Sequence, residues 1–207
     1  QLHRYMNVIL FGGSGFLGLR LKKFLLSKKY NVFSAGRSYK NEIVLDILDP
    51  KLNLDLRLHK YKFDIAVNLI AITNVLECEV NVDKCTQINV LGSKLIAEFC
   101  KKNDVYLLNI STDMIYDKEY STEKEPNPQN SYSISKLKAE KYLEGFNSSS
   151  LRLAFLGKSL DENKGFVDWL LNSVKNKFEI KLWDNVYSTP LSIKDTLDAI
   201  LIAIELR

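Results

Sequence analysis

Met6-Asn-Val-Ile-Leu-Phe-Gly-Gly-Ser-Gly-Phe-Leu-Gly18 is the stretch on which the reading of the fold turns. Met6 to Phe11 is a short apolar run that stops at glycine, the pattern of a buried strand. From Phe16 to Lys29 the apolar residues Leu17, Leu21, Phe24 and Leu25 share one helical face. A glycine pattern is weak evidence alone, and gains meaning when it leaves a strand and opens a helix. Here glycines stand at 12, 15 and 18, with Gly13 extra. Gly12 permits a tight turn, Gly15 lets the backbone approach a pyrophosphate, and Gly18 lets the helix pack closely on the strand. The helix N-terminus offers N–H groups and a favourable dipole to phosphates. Gly12, Ser14, Gly15, Phe16, Leu17 and Gly18 are therefore the expected dinucleotide-binding turn.

Working outward, strands are expected over Asn31 to Ala35, Glu42 to Leu45, Asp64 to Ile70, Val105 to Ile110 and Ser150 to Phe155. Helices are expected over Leu52 to Tyr61, Cys85 to Lys102 (with Ile88, Leu91, Leu95 and Phe99 in register) and Ser133 to Phe146. Tyr116 to Asn130 is polar, holds two of the four prolines and reads as a loop. Beyond Gly157 the spacing suggests a helix over Phe166 to Lys177, a strand over Glu179 to Trp183 and a helix over Ile193 to Leu206. Ser159 to Lys164 reads as a polar surface turn. Buried strands separated by helices imply a parallel sheet with right-handed crossovers. The expected architecture is a Rossmann-type, doubly wound α/β sheet over residues 1–155. A small substrate-binding part over 156–207 is interleaved with it. The sequence stops inside a helical pattern at Arg207, so that part is expected to be truncated, reduced or completed by a partner subunit.

Composition narrows the function classes. The 29 basic and 25 acidic residues give a net charge of +4, scattered without a basic run, which gives no case for nucleic acid or a membrane surface. No apolar run approaches the roughly 20 residues needed to span a bilayer. No signal-peptide organisation precedes the first strand. The three cysteines, Cys78, Cys85 and Cys100, are odd in number and lack CxxC spacing, which argues against a disulfide framework or a zinc site. A reducing, cytoplasmic setting without a metal is expected.

Two further clusters carry chemistry. After the second strand, Ser34-Ala-Gly-Arg-Ser38 has no acidic residue for ribose hydroxyls. Arg37 instead offers a planar cationic fork suited to a 2′-phosphate, with Ser38 as a second donor. This favours NADP(H) over NAD(H), although Arg37 could also be a solvated surface arginine. Tyr132-Ser-Ile-Ser-Lys136 puts a phenol and an ammonium on one helical face. Positive charge near a phenol is expected to lower its pKa, so that Tyr132 could pass a proton to a carbonyl oxygen. Alone the pattern fits any amphipathic helix. Some twenty residues earlier, however, a buried strand ends in Asn109-Ile-Ser-Thr112, and ligands in parallel sheets sit at carboxyl strand ends. Asn68-Leu-Ile-Ala71 ends the preceding strand and is expected to pass over the cofactor, and Asn89 lies on the helix between.

These motifs, in this order, resemble the extended short-chain dehydrogenases/reductases, and within them the dTDP-4-dehydrorhamnose reductase family. The resemblance rests on Gly12, Gly15 and Gly18; Asp46 to Asp49; Asn68 to Val75 with Glu79; Asn89 to Gly92; Ser111 to Asp113; Glu125 to Pro128; Tyr132 with Lys136; and Thr189-Pro190 before Asp195. It implies a catalytic triad of Thr112, Tyr132 and Lys136. It implies cofactor contacts from Asp46 and Ile47 at the adenine, from Asn68, Ile70, Ala71, Asn89 and Ser111 along the groove, and from Lys136 at the ribose. It places Thr73, Asp113, Met114 and Arg152 near the substrate, with Arg152 just after the sixth strand. Phe11 departs from the family, which usually has threonine or a small residue there. The implied activity is NADPH-dependent reduction of the 4-keto group of a nucleotide-linked deoxysugar, by an enzyme that could form a homodimer. Met114 stands where dehydratases carry an acid, which disfavours elimination. A 4-epimerase on the same scaffold, or a non-catalytic NADP-binding regulatory subunit, remain the alternatives.

Overall fold

The computed structural model describes residues 5–159, 165–182, 184 and 187–207. Most of the expected polar turn after Ser159, and Trp183, lie outside these residues. The chain alternates β1 (Asn7–Phe11), α1 (Phe16–Ser27), β2 (Asn31–Gly36), β3 (Ile43–Val44), α2 (Leu54–Leu58) and β4 (Ile65–Asn68). Helices α3 (Val75–Val80), α4 (Val82–Cys85) and α5 (Gly92–Lys102) follow, then β5 (Tyr106–Thr112), α6 (Ser131–Leu143) and β6 (Ser148–Leu153). The last elements are β7 (Phe155–Leu156), α7 (Phe166–Lys175), β8 (Leu191–Ser192) and α8 (Ile193–Glu205).

Six strands pair in the order β3-β2-β1-β4-β5-β6, with every pairing parallel. This is the doubly wound order in which the chain reverses direction beside β1, opening a crevice at the carboxyl ends of β1 and β4. Val8 to Phe11 and Ile65 to Val67 are fully buried because helices cover both faces. On one face Phe11, Ile96, Ala97 and Phe99 pack with Ala66 and Leu107. On the other, Leu21 and Leu25 of α1 meet Leu197, Ile200 and Ile204 of α8 against Val8, Leu10 and Val67. Removing a side chain of this size from water contributes about 1.5–3 kcal/mol. Helix α8 is thus part of the layer that flanks the sheet, although it falls late in the sequence.

Several elements differ from expectation. No strand runs through 179–182; the second partner of the small parallel sheet is Leu191–Ser192, paired with Phe155–Leu156. Polar flanks and Pro190 hide so short a strand. The helical segment before Cys85 begins earlier, with α3 and α4 meeting at Asn81, whose backbone (φ −127°, ψ 61°) breaks the helix. Between α4 and α5 the chain widens into a π-helical stretch, Thr86–Leu91. A wide turn shifts the facing residues, so Leu91 is exposed while Val90, Ser93 and Ile96 turn inward. Such insertions mark places where a helix re-aims a side chain, and here that side chain is Asn89.

Candidate active site

The glycine turn is shaped by contacts that allow no side chain. Gly12 has φ +87°, and a Cβ there would lie 3.0 Å from the Leu69 carbonyl carbon. Gly13, the extra glycine of the sequence, lets β2 come close: a Cβ would lie 2.4 Å from that of Ser34. A Cβ on Gly18 would meet the Gly12 carbonyl oxygen at 2.5 Å, so glycine here lets α1 rest on the turn. At Gly15 the nearest atom is that same oxygen, at 3.2 Å, leaving the space above the helix N-terminus open. Helix α1 starts at this glycine with no side-chain cap and no acidic residue in its first turn. Its leading N–H groups therefore present positive dipole to whatever enters.

Two grooves meet over this turn and share Gly12, Gly15, Leu69 and Ala71. The first, of about 600 Å³, brings together Ser14, Arg37, Ser38, Asp46, Ile47 and Ile70. Arg37 is exposed at its rim. Asn41 organises this end, although the sequence reading did not single it out: its Nδ2 donates to Ser14 Oγ (3.2 Å) and to the Ser38 carbonyl (2.9 Å). Glu42 accepts from the Ser34 N–H and hydroxyl and pairs with Lys22. Burial opposes its charge, but those partners prevail and hold its carboxyl down at about 2. Asn41 and Glu42 stand just before the short edge strand β3, where no spacing in the sequence announces what a polar side chain reaches.

The second groove, of about 480 Å³, brings Phe16, Leu17, Gly18, Thr73, Ser111, Tyr132 and Lys136 to one place. Leu153, Phe155 and Gly157 form an apolar wall that the sequence reading missed. Phe155 stacks on Phe16 with ring centroids 6.0 Å apart. Asp113 and Met114 follow Thr112 in a 3-10 turn, with Met114 exposed and the Asp113 carboxylate accepting from Ser188 Oγ at 3.2 Å.

Burial dominates the chemistry of this end. Tyr132 is buried, and desolvation raises its pKa, with Asp113 adding to the rise; a hydrogen bond with Thr112 pulls the other way. The expected lowering by Lys136 is not what the structure shows. The Lys136 ammonium donates instead to the Ile110 carbonyl at 2.7 Å. It is 3% exposed, and desolvation lowers its own pKa to about 8 against the attraction of Glu140. Tyr132 is thus held as the neutral phenol, the form able to donate a proton. Ser111 is 5% exposed, and its hydroxyl has no hydrogen-bond partner among the described residues.

Two expected contacts act from behind the grooves. Asn68 is buried; it donates to Ser93 Oγ (2.9 Å) and Asn109 Oδ1 (3.1 Å) and accepts from the Ile70 N–H (3.1 Å). Asn89, carried inward by the wide turn, accepts from the Ile72 N–H (2.8 Å) and donates to the Ile72 carbonyl (3.1 Å) and Ser135 Oγ (2.9 Å). Both shape the Leu69–Thr73 segment and leave its face to the groove. Arg152 lies inside β6 rather than after it. Its guanidinium pairs with Glu140 at 2.6 Å and donates to the Tyr116 hydroxyl at 2.7 Å, turned into a different surface groove from the one lined by Tyr132. Strand β6 begins two residues earlier than its hydrophobicity implied and still contains Arg152, which Glu140 and Tyr116 hold where it is. Glu79 accepts from the N–H and hydroxyl of Ser131, fixing the first turn of α6, from which Tyr132 projects.

The parallel sheet order, the glycine turn and the Tyr132–Lys136 helix define the class, an extended short-chain dehydrogenase/reductase fold. Within it the chain belongs to the RmlD substrate binding domain family, whose model matches residues 6–207. It is 26% identical over 199 residues to a probable low-salt glycan biosynthesis reductase of Haloferax volcanii, covering 89% of this chain and 66% of that protein. A hypothetical dTDP-4-dehydrorhamnose reductase from Sulfolobus tokodaii superposes with TM-score 0.82 at 32% identity, covering 97% of this chain and 73% of the other. The Bacillus anthracis dTDP-4-dehydrorhamnose reductase solved in complex with NADP shares the fold, with TM-score 0.85 at 21% identity over 99% and 72% of the two chains. The chain therefore spans about two thirds of the length of the curated Haloferax relative. Among the described residues, no helix is long and apolar enough to cross a membrane.

Proposed function

We propose that this chain is the catalytic part of an NADPH-dependent reductase acting on the 4-keto group of a nucleotide-linked deoxysugar, in a cytoplasmic setting. The observation that carries the reading is the meeting of Tyr132, Lys136 and the Ser111 hydroxyl, without a partner among the described residues, in a groove floored by the glycine turn, with Thr112 bonded to the tyrosine. The names of the relatives support the substrate class.

The residues present fit a nicotinamide dinucleotide. Open space above Gly15 and the uncapped start of α1 suit a pyrophosphate. Arg37 and Ser38 suit a 2′-phosphate. The Ser111 hydroxyl, costly to leave without a partner when buried, would find one in the ligand. When bound, the cofactor supplies the hydride. The chain's own work is protonation and placement. Tyr132, neutral through burial, donates its phenolic proton to the carbonyl oxygen as charge develops there. Thr112 steadies that oxygen with a second hydrogen bond, and Lys136, held at the Ile110 carbonyl in the same groove, is placed to anchor the cofactor's ribose. The apolar wall of Leu153 and Phe155 excludes water from the transfer.

The test is NADPH oxidation against a panel of 4-keto sugar nucleotides, with product stereochemistry read by NMR. Stoichiometric NADPH consumption with a reduced sugar supports the proposal. Tight cofactor binding with no consumption points to a binding subunit, and sugar conversion that leaves the cofactor unchanged points to an epimerase.

A further inference from the structure

Cys78 and Cys85 take no part in the chemistry above, yet they lie against it. Both thiols are buried and form a small cluster with Tyr132, bordered by Ile72 and Val75. Cys78 sits on α3 and Cys85 ends α4, and the break at Asn81 folds the two helices so that the sulfurs stand 2.7 Å apart. That is closer than ordinary contact between unbonded sulfurs, and less than about 1 Å beyond the roughly 2.05 Å of a disulfide bond. Each thiol also touches the machinery that places the active site. Cys78 donates to the Ile72 carbonyl at 3.7 Å, and Cys85 lies 3.4 Å from Ser135 Oγ and 3.3 Å from Asn89 Nδ2. Cys100, on α5, is buried apart from them, in the core with Phe11, Ala66 and Phe99.

We propose that Cys78 and Cys85 form a reversible disulfide beneath Tyr132, and that closing it slows turnover. The oxidant class is a small hydroperoxide, able to reach a buried pair when the α3–α4 corner opens. One thiolate attacks a peroxide oxygen, giving a sulfenic acid and breaking the O–O bond. The second thiol displaces water from that sulfur and forms the S–S bond. With hydrogen peroxide, two thiols and one peroxide become one disulfide and two waters. The crosslink draws the sulfurs together, removes the S–H donor to Ile72 and repacks the surface on which the Tyr132 ring rests. Asn89 still holds Ile72 by two hydrogen bonds, so the cofactor segment stays in place while the proton donor shifts. Burial, and the Cys85 sulfur beside it, push the Cys78 thiol upward, which keeps the closed protein slow to oxidise and makes local opening the gate.

The effect on turnover rests on Tyr132 being the proton donor; the pairing itself does not. The experiment treats the full chain with stoichiometric hydrogen peroxide, counts thiols after denaturation and maps peptides by mass. The expected result is a fall from three free thiols to one, with a Cys78–Cys85 crosslinked peptide. Turnover should fall at least about fivefold, since misplacing a reacting group by 1 Å can cost about a hundredfold. NADPH affinity should change less than about twofold, because a change of roughly tenfold would signal a lost cofactor contact. Dithiothreitol should restore the reduced rate. Cys78→Ala and Cys85→Ser should each abolish the peroxide effect, and either suffices if the other folds poorly; Cys100→Ser should retain it. Three thiols surviving oxidation, or a crosslinked protein turning over at the reduced rate, would overturn the proposal. A chain that crosslinks reversibly but reduces no keto-sugar in its thiol form overturns the reductase reading and leaves the thiol pair standing.

Discussion

The two ends of the cofactor crevice are built by opposite means. At the Arg37 end, recognition is assigned to backbone and to side chains at the rim, and Arg37 itself is exposed. At the Tyr132 end, Ser111, Thr112, Tyr132 and Lys136 are all buried, and a second layer of amides and hydroxyls holds the surrounding chain. An exposed site can lose a residue without disturbing the fold. A buried one sets protonation states through desolvation, so chemistry and stability are linked there.

Tyr132→Phe offers the largest break in that comparison. Removing one hydroxyl keeps the ring that packs against Cys78 and Cys85. Turnover should fall about 10³-fold, in the usual range for a lost general acid. NADPH affinity, by fluorescence titration, should stay within about twofold, since tenfold would mean a lost contact. Normal turnover in this variant would remove Tyr132 from the mechanism.

Asn89→Ala comes next and probes the second layer. It strips both backbone groups of Ile72 of their partner and leaves Ser135 with one fewer donor. A loss of about 2 kcal/mol is expected from the unpaired groups, or roughly 5 °C in Tm for a domain of this size. Cofactor affinity should weaken as the 69–73 segment loosens. An unchanged Tm would show that the wide turn in the helix does not position that segment.

Arg37→Ala sharpens the contrast from the other end. NADPH should bind roughly tenfold more weakly, in line with one exposed charge-assisted contact, while NADH binding is unaffected. Stability should move by less than about 0.5 kcal/mol, as is usual at an exposed position. Equal loss for both cofactors would place Arg37 away from the 2′-phosphate.

The same contrast explains what could be read from the sequence. The glycine turn, the strand order and the Tyr132–Lys136 helix are local patterns with fixed spacing. They therefore name the fold and bring Tyr132 and Lys136 beside the glycine turn. The second layer is non-local. Asn68 bonds Asn109 across 41 positions, and Asn89 reaches Ser135 across 46; no periodicity announces either pair. Leu91 fitted a regular helix and turned outward because six residues take a wider turn. Arg152 was placed near the substrate by resemblance, but Glu140, twelve positions back on α6, pairs with it and holds it in another groove. The sign of the Tyr132 shift was missed for a related reason. A four-residue interval shows which side chains share a helical face, but not how deeply that face is buried.

Burial of Lys136 gives the smallest and most diagnostic effect. Its pKa is lowered to about 8 by desolvation, whereas in the unfolded chain it titrates near 10.4. Below pH 8 the folded protein carries a buried ammonium at a cost. Between about 8 and 10.4 the unfolded state binds more protons than the native state, so stability rises with pH. From pH 8 to about pH 9 the gain is roughly 1 kcal/mol, readable by urea unfolding. Turnover should move the opposite way, falling about fivefold over that interval as the ammonium that anchors the cofactor's ribose loses its charge. A Lys136→Arg variant keeps its charge. It should flatten both trends, whatever its absolute rate. Stability and activity that rise or fall together across this window would mean that a different group titrates there.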